Sequence, residues 1–144
     1  MRWPKPVPGL VIRYAYVWRR EHDEGRDEGR KNRPCAIVLT APAAGAETRV
    51  YVLPVTHTAP QNLTLAIELP ARVKQHLGLD DQPSWIMLDE INDFLWPGYD
   101  LRPIPGSTPA TIEYGHLPPR LFDTVRTAFL ALARARRVRR VPRG

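Results

Sequence analysis

Apolar positions in this chain fall mostly in short runs with a period near two, broken by proline, glycine and charge. After an extended lead-in carrying Pro4, Pro6 and Pro8, the run Leu10 to Trp18 is aromatic and β-branched and reads as a first strand. Pro34 disfavours helical geometry before it, and Cys35 to Thr40 behind it reads as a buried second strand. The small, glycine-containing stretch Pro42 to Glu47 suits a hairpin connection into a third strand, Thr48 to Val55. Leu63 to Leu69 alternates as a fourth strand and Ser84 to Asp89 as a fifth, followed by the apolar piece Phe94-Leu95-Trp96. Thr111 to Tyr114 is a short strand that closes the sheet.

Two stretches break this period. Pro70 at a helix start and Gly78 past its end bracket a short helix, Ala71 to Leu77. From Pro118 onward, Leu121, Phe122, Val125, Phe129 and Leu132 recur three or four apart, one face of a longer helix expected to continue into an arginine-rich end. Strands are not separated by long helices, so a doubly wound sheet is excluded. The expected fold class is mainly β (α+β): a small, partly open, SH3-like antiparallel barrel with a short inserted helix and a C-terminal helix. A chain of 144 residues forms one domain, 1–144.

Charge changes the picture at two places. Arg19 to Arg33 is a charged loop with a small tandem repeat, Asp23-Glu24-Gly25-Arg26 and Asp27-Glu28-Gly29-Arg30, and no apolar face; it is expected to be mobile. Of 21 Lys and Arg residues, six lie in the tail 134–144, which holds no acid; the other 15 match the 15 Asp and Glu, so the +6 belongs to the tail. Such a patch attracts polyanions, RNA or DNA first and acidic membranes or protein partners second, while a solvated, partly disordered terminus is the other reading. A lone cysteine, Cys35, and an N-terminal stretch without an apolar core point to a reducing, cytoplasmic setting, and no run is long enough to span a membrane.

Candidate chemistry is sparse. Zinc spacing, an HExxH or EF-hand pattern, a phosphate-binding glycine loop and GxSxG are all missing, so no cofactor or metal is expected. Metal-free cleavage of RNA by its own 2′-hydroxyl needs a base, a proton for the leaving 5′-oxygen and donors for the crowded phosphorane. Arg33 before the second strand and Thr56-His57-Thr58 after the third come to one open end if those strands form a hairpin. The guanidinium offers forked donors to phosphate. The hydroxyls read equally as strand-end hydrogen bonders, and His57, alternating with them, is expected to point away. Asp89 and Glu90 form either an acid–base pair or partners for local arginines. Trp85, Phe94 and Trp96 stack bases or fill the core.

Pro8-Gly9-Leu10-Val11-Ile12, Arg33-Pro34 before Ala36-Ile37-Val38-Leu39, Leu53-Pro54-Val55-Thr56, and Ser84-Trp85-Ile86 leading to Asp89-Glu90 occur in that order. In this the chain resembles the PemK/MazF family of bacterial toxins, the ribonuclease halves of toxin–antitoxin pairs, over roughly Pro8 to Leu132. The resemblance implies an SH3-like barrel, a homodimer, an antitoxin partner, and metal-free cleavage of single-stranded RNA to a cyclic phosphate and a 5′-hydroxyl. It places Arg33 at the family's catalytic arginine, Thr56 at its Thr/Ser, and Asp89 where some members use an acid. His22 falls in the loop where some members carry a functional histidine. An arginine is a poor proton carrier, so Arg33 is expected to act as an electrostatic clamp, with His57 or Asp89 moving the proton. His22, Arg30, Lys31, Thr58, Glu90, Arg134, Arg136 and Arg137 are the expected RNA contacts. Met87 stands where some members carry a second arginine. The alternative is a non-catalytic module on the same barrel that binds nucleic acid or antitoxin through a basic C-terminal helix.

Overall fold

The computed structural model describes residues 2–25 and 31–144. Eight strands among them form a largely antiparallel sheet: β1 (Leu10–Ala15), β2 (Asn32–Pro42), β3 (Thr48–Thr56), β4 (Ala66–Glu68), β5 (Trp85–Met87), β6 (Glu90–Leu95), β7 (Glu113–His116) and β8 (Arg139–Pro142). Helices α1 (Arg19–Asp23), α2 (Ala71–His76) and α3 (Pro119–Arg134) complete it. The strand order is β4-β5-β3-β2-β1-β7. At β3 the sheet forks, because Arg49 to Val52 pair with β6 while Val55 and Thr56 pair with β5. The mainly β class stands; the described strands form an open sheet, not a closed barrel.

The central strands are apolar on both faces because both are covered. Val11, Ala36, Val38 and Leu53 pack with Ile86, Val73 and the Val125, Phe129 and Leu132 stripe of α3. Their alternates Leu10, Ile12, Tyr14, Cys35, Ile37, Val50 and Val52 build a second core with Phe94 and Leu101. Gly9, at φ +94°, turns the lead-in into β1, and its carbonyl accepts from Leu117 N–H at 2.9 Å just before α3. That conformation is open to glycine and strained for other residues.

Several expected boundaries move. The first strand ends at Ala15, and Tyr16 to Trp18 leave the ladder, with Val17 N–H and C=O held by the buried Asn92 side chain at 3.0 and 2.8 Å. The charged loop is shorter than expected: its start folds as α1 and Asn32 and Arg33 already belong to β2. Arg26–Arg30, which carry most of the tandem repeat, lie outside the described residues. Leu63–Leu65 form a 3₁₀ turn before β4. The piece around Phe94 belongs to β6, a buried strand.

The C-terminus departs most. α3 stops at Arg134, Arg136 takes a φ of +57°, and the tail returns as β8, parallel to β6. The C-terminal helix therefore does not continue into the arginine-rich tail; of the six tail arginines only Arg134 lies on α3. Arg140 donates to both Asp93 carboxylate oxygens, at 2.6 and 3.0 Å, and Arg143 Nη2 lies 3.2 Å from Asp100. Fully buried Asp93 demands such partners, which is why an arginine-rich end folds back instead of extending a helix. No helix among the described residues is long and apolar enough to cross a membrane.

Candidate active site

Strands β2 and β3 pair with Cys35 opposite Pro54. Two residues further along each strand bring Arg33 and Thr56 to the same end of the hairpin. Arg33 has the parity of Cys35 and Ile37, and Thr56 that of Val50 and Val52, so both continue the face of the second core. At this end of the hairpin a cavity of about 340 Å³ opens beside the first core, against Val55, Leu79 and Tyr114, and is walled by Arg33, Thr56, His57, Lys74 and Asp80 among others. Arg33 and Lys31 also wall neighbouring cavities of about 390 and 280 Å³, the smaller of which shares Thr56 and His57.

The Arg33 side chain is held by few contacts. Its Nη1 donates to Val55 C=O at a long 3.4 Å, its guanidinium carbon lies 5.1 Å from the Trp18 ring centroid, and its buried Nε has no acceptor among the described residues. Most of its five N–H donors are thus unused by the described residues. Thr56 Oγ1 accepts from Thr58 N–H at 3.2 Å, leaving the hydroxyl proton available.

His57 does not point away from Thr56. Strand β3 ends at Thr56, so alternation no longer governs the next side chain, and the loop after α2 gathers the imidazole into the same wall. Nδ1 lies 3.0 Å from Pro83 C=O and 3.1 Å from Ser84 Oγ, while Nε2 lies 2.9 Å from Asp80. Asp80 in turn accepts from the nearly buried Lys74 at 2.8 Å, and that hydrogen bond, against a small desolvation cost, holds its carboxyl below the usual range. Lys74 Nζ also donates to Gln82 C=O.

The other expected site residues separate. Thr58 and Lys31 stay at the cavities. Asp89 lies in the turn between β5 and β6, walls none of these cavities, and its carbonyl accepts from Arg139 N–H at 2.8 Å. Glu90, expected as an RNA contact, is a buried carboxyl that accepts from Tyr16 OH at 2.9 Å; burial pushes its pKa up. His22 is exposed on α1, outside the cavity walls, and Arg30 lies outside the described residues. Arg134, Arg136 and Arg137 are exposed at the end of α3, also outside them. Phe94 is buried against Tyr14 at 4.8 Å between centroids and is closed to a base. A larger open groove of about 880 Å³, between the N-terminal segment and residues 107–116, shares Tyr114 with the first cavity and holds none of the expected site residues.

Sequence reasoning missed Trp18, Lys74, Asp80 and Ser84 as parts of this site. Only the Gly78 stop followed by Asp80-Asp81 hinted at a polar loop, and nothing local said that it folds over His57. Among the described residues no three His, Cys, Asp or Glu side chains gather closely enough to hold a metal ion.

The family model of the PemK-like, MazF-like toxin of type II toxin-antitoxin system matches residues 16–94. The chain belongs to this family, and an antitoxin partner follows from membership. That span runs from Tyr16 through β3 and the α2 loop to Phe94, and so contains Arg33, Thr56, His57 and Asp80. Comparison with curated proteins and with solved structures returned no match.

Proposed function

We propose that this toxin is a metal-independent endoribonuclease of single-stranded RNA, mRNA above all, acting in the cytoplasm. The observation that supports it is the Arg33 guanidinium, set at a rigid strand end with most donors unused, beside the Thr56 hydroxyl in one cavity wall. The substrate's 2′-oxygen attacks the adjacent phosphorus, the bond from phosphorus to the 5′-oxygen breaks, and the products are a 2′,3′-cyclic phosphate and a 5′-hydroxyl. Arg33 binds the non-bridging oxygens and offsets the charge that builds on the phosphorane. Thr56 donates a further hydrogen bond. His57 moves the proton: Nδ1 stays on Pro83 C=O, which sets the ring, while Nε2 exchanges Asp80 for the substrate oxygen. Lys31 and Thr58 contact the flanking strand. The toxin acts as a homodimer, and its antitoxin silences it.

The test is incubation of the purified, antitoxin-free protein with a long single-stranded RNA in excess EDTA, beside Arg33→Ala. Wild type should yield discrete fragments ending in cyclic phosphate, and the variant should be slower by about 10²-fold or more while remaining folded. Intact RNA with folded wild type overturns the reading.

A further inference from the structure

Arg33 poses a physical problem. A guanidinium that clamps a developing phosphorane must keep its plane fixed before substrate arrives. Among the described residues hydrogen bonds do not fix it: one bond of 3.4 Å to Val55 C=O leaves the plane free to turn, and the buried Nε finds no acceptor there. What remains is the Trp18 ring, whose centroid lies 5.1 Å from the guanidinium carbon, within the range of a cation–π contact.

We propose that Trp18 is the positioning residue for Arg33, its ring face setting the guanidinium in the orientation that presents the Nη donors to the cavity. This rests on the nuclease reading above for its consequence, though not for its geometry. The residue is itself anchored: the Trp18 backbone N–H donates to Glu21 Oε1 at 3.1 Å and its backbone carbonyl accepts from His22 N–H at 2.9 Å, so its backbone is tied to α1. Its ring meets Tyr16 edge-on, with centroids 5.1 Å apart at 69°, and Tyr16 OH is bonded to Glu90. Val17 between them is pinned at both backbone groups by Asn92, which is 0% exposed. A rigid path therefore runs from buried β6, through residues 16–18, to the arginine at the mouth of β2.

Arg20 lies 5.6 Å from the same ring, so the indole serves two cations. A ring that instead stacks on a substrate base would look similar in a simple activity screen, and the experiment must separate the two. Trp18→Phe keeps a ring, while Trp18→Leu keeps apolar bulk without one; Trp18→Met is the second ringless variant should the leucine chain not fold. Two readouts are taken: steady-state cleavage of a fluorogenic RNA, and the Arg33 Nε–H resonance in nitrogen-15 spectra of the free protein. Positioning predicts that the ringless variant loses about tenfold in kcat with KM changed by less than about twofold. It predicts that Trp18→Phe recovers most of that loss. In the spectra, Nε–H should carry a ring-current shift in wild type and Trp18→Phe, and lose it, with faster solvent exchange, in the ringless chain. A rise in KM alone means the ring stacks on RNA and overturns the proposal, as does an Nε–H signal indifferent to the substitution. Wild type that leaves RNA intact while Nε–H still depends on the ring removes the nuclease reading and leaves the positioning standing.

Discussion

Removing Arg140 isolates what holds the C-terminal strand. Asp93 is 0% exposed and receives Arg140 through two hydrogen bonds, at 2.6 and 3.0 Å, and Arg49 through one at 2.7 Å. Arg140→Ala leaves the buried carboxylate with Arg49 alone. Breaking a fully buried pair costs about 3–5 kcal/mol; here only the carboxylate is buried, the Arg140 side chain being 56% exposed, and Arg49 survives as a partner, so the expected loss is about 2 kcal/mol. Were β8 merely draped on the surface, the loss would match an exposed pair, about 0–1 kcal/mol. For a chain of this size 2 kcal/mol lowers Tm by about 6 °C. Urea denaturation followed by circular dichroism at 0.1 and 1 M NaCl measures it, and the loss should persist at high salt because the carboxylate is shielded. Asp93→Asn in the same chain should restore part of it, since a neutral amide needs one cation less. Arg134→Ala, exposed at the end of α3, serves as the control and should change stability by less than about 0.5 kcal/mol. A change below about 0.5 kcal/mol for Arg140→Ala at both salts would refute the argument that Asp93 recruits the tail.

Two further outcomes are expected. Phe129→Ala should cost about 3–4 kcal/mol in the same assay, because the ring is 2% exposed between α3 and the sheet, whereas exposed Thr124→Ala should cost little. The Asp80 carboxyl, followed by carbon-13 spectra in an acid titration, should have its midpoint below 3.8, and Lys74→Met should return it towards that value. A lowered native pKa stabilises the loop above the ordinary carboxylate range. That contribution fades as pH falls through the native midpoint, and an unshifted Asp80 would mean that Lys74 does not hold it.

The short apolar runs of β1, β2 and β3 were legible because a strand buried on both faces is apolar at nearly every position, β5 because its buried Ile86 sits in a short apolar run, and helix α3 because Val125, Phe129 and Leu132 repeat at helical spacing. Strand β6 was harder to read. Its residues Glu90, Asn92 and Asp93 look like a loop until their partners Tyr16, Val17 and Arg140 are in place. At the candidate site, Arg33 and Thr56 were legible from hairpin logic, since local pairing sets which strand ends meet. Lys74, Asp80 and Ser84 were not, because a loop arriving from another part of the chain has no local periodicity to betray its destination.

Local chemistry along the sequence determined which segments extend, where proline and glycine end them, and which arginine stands at a strand mouth. Tertiary structure alone decided three things: that Trp18 lies over Arg33, that the loop after α2 gathers His57, and that six tail arginines serve unequally. Arg140 and Arg143 are drawn in by Asp93 and Asp100, while Arg134, Arg136 and Arg137 stay in solvent. The division has one physical cause. Hydrogen-bonded turns and apolar periodicity act between near neighbours, whereas a buried charge acts on whatever part of the chain can reach it, and that is known only once the chain has folded.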